Sequence, residues 1–102
     1  MDTFVILSKY TPAGRKYAKP DDARKRWNVI EASLKKTLGG TTIAHYVTLG
    51  PYDSVLIFAI RPAQHFQLFQ CLVAAQEPGD VELTVMPAWE FDKFAPPAAA
   101  KP

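Results

Sequence analysis

Two short stretches, Phe4–Leu7 and Val55–Ile60, are apolar without a break. A strand with one wet face alternates apolar and polar residues, so a strand that does not alternate is buried on both faces. Each run sits in a longer β-prone segment, Thr3–Tyr10 and Asp53–Arg61, the first ended by Thr11-Pro12. The fold must therefore place cover above and below both strands. What the rest of the chain can supply narrows the choice.

The clearest helix is Asp21–Leu38, where Ala23, Trp27, Ile30, Leu34 and Leu38 recur at steps of three or four and make one apolar stripe. Asp21 and Asp22 suit the positive end of its dipole, and Lys35 and Lys36 the negative end. Glu31 and Lys35 make a favourable i,i+4 pair, and Gly39-Gly40 closes the helix. Before it, Thr11-Pro12-Ala13-Gly14 reads as a turn or short helical start, with Thr11 as cap. Thr41–Leu49 is a strand joined to Asp53–Arg61 by Gly50-Pro51-Tyr52, a short hairpin connection. Pro62–Gln76 is a second helix, with Phe66, Phe69, Leu72 and Val73 on one face, ended by Glu77-Pro78-Gly79-Asp80. Val81–Trp89 alternates as a half-buried strand: Val81, Leu83 and Val85 face one way, Glu82, Thr84 and Met86 the other.

The resulting order, β-α-β-β-α-β, is the ferredoxin-like α+β plan, with a four-stranded antiparallel sheet. Its two helices shelter only one side of the sheet. The other side of the first and third strands needs a cover, and a symmetric copy of the same sheet supplies one. If roughly 500 Å² of apolar surface were otherwise bare, burial at about 25 cal/mol per Å² would contribute on the order of 12 kcal/mol before association costs. A homodimer, or a higher homo-oligomer built on it, is expected.

At 102 residues, 48% of them hydrophobic and 22% charged, the chain fits one globular domain. That domain is read as residues 1–94, followed by an Ala/Pro-rich tail, 95–102, without core-forming potential. No apolar run nears the roughly 20 residues of a membrane-spanning helix. Met1-Asp2-Thr3-Phe4 lacks the basic start of a secretory signal, and the lone Cys71 rules out an internal disulfide, so the cytoplasm is expected. The basic residues of Arg15–Lys36 are interrupted by Asp21, Asp22 and Glu31, with no exposed aromatics beside them. They read as a solvated helix surface rather than a nucleic-acid face.

The segment Tyr46-Val47-Thr48-Leu49-Gly50-Pro51-Tyr52-Asp53 resembles the stretch that names the GYD-domain family. Phe4-Val5-Ile6-Leu7, the Thr11…Gly14 turn and Leu38-Gly39-Gly40 match along the chain, and the resemblance runs from Phe4 to Phe91. The second helix, with Phe66, Phe69 and Cys71, is bulkier than the Ala-rich helix usual in the family, and the Pro-rich tail is an addition. The resemblance implies a dimeric α/β barrel. That superfamily also holds cofactor-independent monooxygenases, lactone isomerases, haem-degrading and polyketide-cyclising enzymes, and fold alone does not choose among them. Haem-binding relatives carry a histidine late in the second helix, where this chain has Val73-Ala74-Ala75-Gln76, so haem is not expected.

His45, expected between Ile43 and Val47 on one strand face, is either a proton-handling group or a structural imidazole. Asp53 and Tyr52 are the best-matched polar pair: Asp53 orients a ligand or a catalytic proton, or it bonds amides of its own turn. Tyr10 could donate to a phenol or carbonyl oxygen. Ser8, Trp27 and Phe66 join it as candidate lining of an apolar cleft between sheet and helices, although Trp27 and Phe66 also fit as plain core. The candidate catalytic set is thus His45, Tyr10 and Asp53, and the candidate ligand-binding set Ser8, Trp27, Tyr52 and Phe66. His65 starts the second helix, about 13 Å from His45 at ~3.3 Å per residue, so the two are not expected to share a metal. No Cys or carboxylate spacing resembles a metal site, no Gly-x-Ser-x-Gly elbow or phosphate loop occurs, and no cofactor is implied. Cys71 reads as a packed, inert thiol.

Two function classes follow. One is a dimer binding a small apolar or aromatic molecule, with a cofactor-free oxidation or isomerisation as its chemistry. The other is a non-catalytic assembly or binding module whose outer helices or tail meet a protein partner.

Overall fold

In the computed structural model the described residues are 1–17 and 19–93, with 15–17 and 20 described by backbone alone. The expected tail, 95–102, lies outside them. Four strands, β1 (Asp2–Tyr10), β2 (Thr41–Val47), β3 (Ser54–Ile60) and β4 (Val81–Ala88), form one sheet in the order β2-β3-β1-β4. All neighbouring pairs are antiparallel, with Ile6 opposite both Leu56 and Val85. Helices α1 (Pro20–Leu38) and α2 (His65–Gln76) connect β1 to β2 and β3 to β4. Each connection passes over one intervening strand, which makes the fold ferredoxin-like. No helix among the described residues is long and apolar enough to cross a membrane.

Helix α1 begins with Pro20, whose fixed φ suits a first helical turn, and stops at Gly39. Gly39 takes φ 61°, a left-handed value that a Cβ would disfavour, while its N–H donates to the Lys35 carbonyl at 2.9 Å. After β1, Thr11 turns the chain into a 3₁₀ segment, Pro12–Tyr17, its N–H donating to the Asp80 carbonyl at 3.0 Å. A Cβ on Gly14 would lie 2.0 Å from that same carbonyl oxygen, so only glycine lets the turn close there. The Asp80 carboxylate in turn accepts Arg26 Nε and Nη2 at 2.7 and 2.9 Å. Arg26 Nη2 also donates to the Ala75 carbonyl at 2.8 Å. One buried, charge-assisted fork thus ties α1, the end of α2 and the start of β4.

The core fills the space between sheet and helices, with Ile6, Leu56, Phe58 and Ile60 meeting Trp27, Ile30, Leu34, Leu68 and Leu72. The register places Val5, Leu7, Val55, Ile57, Ala59 and Met86 on the opposite side. Neither helix reaches that side. Val5, Leu7, Val55 and Ile57 stay partly exposed there, and Met86 is 44% exposed.

Three expectations need correction. The β2–β3 connection is six residues, 48–53, rather than three. Thr48 draws it shut, its N–H donating to the Asp53 carbonyl at 3.0 Å and its hydroxyl to the Tyr52 carbonyl at 2.7 Å. In β2 the register slips between Thr42 and Ala44, so Ile43 is an extra residue and does not share a face with His45. Helix α2 buries Leu68 and Leu72, whereas Phe66, Phe69 and Val73 are 68%, 63% and 50% exposed. Phe66 is therefore not core. Because α2 is apolar almost all the way round, its periodicity does not single out an inner face.

Candidate functional site

The bulge at Ile43 decides where His45 points. It puts Thr42 opposite Phe58 and His45 opposite Leu56, so both side chains lie on the helix-covered side of the sheet. There they meet Glu31 of α1. The Glu31 carboxylate accepts the Thr42 hydroxyl and lies 3.0 Å from His45 Nδ1, with Lys35 Nζ at 3.5 Å. Burial by itself raises the Glu31 carboxyl, but the bonds from Thr42 and His45 and the charges of His45 and Lys35 outweigh it. The group ends below its ordinary value and is a carboxylate at neutral pH. A carboxylate accepts only, so neutral His45 carries its proton on Nδ1 and presents the lone pair on Nε2.

His45 lines a cleft of about 850 Å³ between α1 and the β2–β3 hairpin. Helix α1 contributes Ala23, Arg24, Trp27 and Asn28; the hairpin contributes residues 45–51 and Asp53; β1 contributes Lys9 and Tyr10. The Tyr10 ring stacks on Trp27, centroids 4.7 Å apart at 22°. The two rings cover each other's inner faces, so the stack borders the cleft with the aromatic surface it leaves uncovered. Trp27, 4% exposed, is fixed by the core stripe of α1 and belongs to core and cleft together.

Asp53 closes the end of the cleft. Its Oδ2 accepts the Tyr10 N–H at 2.7 Å, and its own N–H donates to the Ser8 carbonyl at 2.7 Å. The carboxylate therefore pins the last residue of β1 to the hairpin instead of capping its own turn. It holds the Tyr10 backbone, and with it the ring against Trp27.

Of the seven candidates, the structure gathers Tyr10, Trp27, His45 and Asp53 around one cleft. Ser8 is buried beneath it, paired with Ser54 across the β1–β3 ladder, and does not line it. Tyr52 is half-buried in the hairpin and enters through its carbonyl alone. Phe66 lies on the exposed face of α2, outside the cleft. His65 bonds Asp2 at 2.8 Å and sits edge-on to Phe4, apart from His45. Among the described residues no group of three or more His, Cys, Asp and Glu side chains is placed to hold a metal. Sequence spacing does not single out Glu31 and Thr42 as site residues. The available signal was the position of Glu31, four residues after Trp27 and three before Leu34, which sets it on the border of the buried stripe.

Two split βαβ units, one bare sheet face and an aromatic-walled cleft define a small ferredoxin-like α+β protein. The family model for the GYD domain matches residues 4–96, and the chain belongs to that family. The structure is similar to the crystal structure of FFRP-DM1, at TM-score 0.51 and 18% identity, over 87% of this chain and 100% of that one. That likeness concerns the fold alone. No curated protein matches the sequence.

Proposed function

We propose that the protein acts as a homodimer, sheet against sheet, and that each subunit binds a small, largely apolar or aromatic molecule in the cleft between α1 and the β2–β3 hairpin. One observation carries the reading: His45, held by Glu31, borders the same cleft as the Tyr10–Trp27 stack. An aromatic border suits an aromatic or conjugated ligand. A histidine whose Nδ1–H is committed to a carboxylate presents Nε2 as a hydrogen-bond acceptor and a base. Removal of a proton from the bound molecule is the first step of a cofactor-free isomerisation, and equally of a cofactor-free oxidation by dioxygen. Tyr10 positions the ligand, Asp53 positions Tyr10, and Glu31 positions His45.

A second reading, a protein-binding module, draws on the exposed stripe Phe66, Phe69 and Val73 of α2. Native mass spectrometry of the purified protein separates the two. A co-purified small molecule, lost in a His45→Ala, Tyr10→Phe double variant that keeps its fold, is the expected result. Unchanged spectra for that variant, with no small molecule in either, would count for the module.

A further inference from the structure

A separate groove of about 340 Å³ lies between α2 and β4, the strand at the opposite edge of the sheet from β2. Leu83 and Val85 form its floor, Phe4 and His65 one end, and Gln76 the other. Phe69 and Val73 stand exposed along its rim. Two features keep a further strand from pairing on this edge. The Ser8 carbonyl is given to Asp53 on the β3 side, so the main chain of Leu83, opposite Ser8, faces outward. There the Leu83 N–H is taken by Gln76 Oε1 at 3.1 Å, and Pro87, outward by the same alternation, has no N–H. The groove suits an occupant that docks through its side chains and brings few main-chain donors.

The chain carries such a segment close by. Strand β4 ends at Ala88, opposite Thr3 and next to the Phe4–His65 end of the groove. A 3₁₀ turn, Phe91–Lys93, then bends the chain, the Lys93 N–H donating to the Glu90 carbonyl at 3.0 Å. The sequence continues Phe94-Ala95-Pro96-Pro97-Ala98-Ala99-Ala100-Lys101-Pro102. We propose that this segment folds back along its own α2 and fills the groove. Phe94 enters at the Phe4–His65 end, and the Ala/Pro stretch lies over Leu83 and Val85. From His65 to Gln76 the helix spans about 16 Å at 1.5 Å per residue, a length that roughly five residues of polyproline conformation cover at about 3.1 Å each. Pro96 and Pro97 carry no N–H into the apolar groove, which lowers the cost of burial. Lys101 then comes beside Glu77, which is exposed at the negative end of the α2 dipole and forms no ion pair with a described residue. So short a tether gives an effective concentration on the order of millimolar, enough to close a contact too weak to hold a free peptide. The docked segment covers Phe69 and Val73, which the protein-binding reading would offer to a partner, and leaves the cleft untouched.

The test places a nitroxide spin label on the full chain at Ala99→Cys, with Cys71→Ser to leave one attachment point, and follows the amide signals by nuclear magnetic resonance. In the docked segment position 99 lies beside Gln76. The Val73 and Gln76 signals should therefore be lost, and the His65 signal should be broadened less. Val73→Glu, or Phe69→Ser if that variant does not fold, should restore the lost signals while the rest of the spectrum keeps its dispersion. Broadening that is strongest at His65 and fades toward Gln76 is the pattern of a segment swinging from its root, and would overturn the proposal. So would signal loss at Gln76 that persists in the Val73→Glu variant. In a mixture of spin-labelled chain without isotope and isotope-labelled chain without the spin label, the Gln76 signal should survive. Its loss there would put the segment on a second copy and overturn docking within one chain.

Discussion

At the scale of single residues the informative contact joins Glu31 to His45, fourteen positions apart in sequence. Each explains the other's placement. A carboxyl group this far out of water would ordinarily be pushed toward its neutral form, yet Thr42, His45 and Lys35 hold it charged. Its value in the folded chain is therefore depressed, and the stabilisation from its charged form is complete above the ordinary value of 4.5 and fades as pH falls through the lower folded value. Replacing Glu31 with Ala should cost about 1–3 kcal/mol at pH 7. The same substitution should cost less in acid, once the pH falls through the lowered folded value and the unaltered chain gives up the charge. Urea unfolding of both proteins at neutral and at acid pH measures the difference. A penalty that does not change with pH would mean that the ion pair contributes nothing and that Glu31 acts through packing.

Among the elements, α1 and the two unbroken strands were legible in the sequence, and α2 was not fully so. Start, stripe and stop of α1 agree in Pro20, the Trp27–Leu38 spacing and Gly39, so local preference and tertiary burial point to one answer. Along α2 the apolar residues Phe66, Leu68, Phe69, Leu72 and Val73 cover more than one face, and only packing against α1 and the sheet selects Leu68 and Leu72. Leu72→Ala should accordingly cost about 2–4 kcal/mol. Phe66→Ser should stay within about 0.5 kcal/mol of the unaltered protein. Thermal or urea unfolding of the two variants decides between this face and the Phe66–Phe69 face. The candidate site was legible in part for a related reason. Tyr10 and Asp53 stand at element ends and Trp27 on a clear stripe, which fixes their neighbourhood, whereas the side that His45 faces follows from the bulge at Ile43. Glu31 was hidden because its partners depend on the bulge at Ile43, and a one-residue slip carries no signature in a run such as Thr41-Thr42-Ile43-Ala44. Phe66 was misplaced with its helix.

For the molecule as a whole, the governing fact is an imbalance between sheet and helix. Two helices shelter the side carrying Ile6, Leu56 and Phe58, while Val5, Leu7, Val55 and Ile57 point away from both. Packing a second sheet onto that side would bury it at the spacing of about 10 Å typical of stacked sheets. It would also bring the Lys9 and Tyr46 side of each cleft close to the partner. A lysine at Ile57 should leave the single chain folded, because its side chain would enter solvent, but should prevent the two sheets from meeting. Sedimentation equilibrium of the unaltered protein beside Ile57→Lys tests this most directly. A mass of twice 11.3 kDa, or a multiple of that pair, is expected for the unaltered chain and a single-chain mass for the variant. An unaltered protein that stays at 11.3 kDa across the concentration range would contradict it.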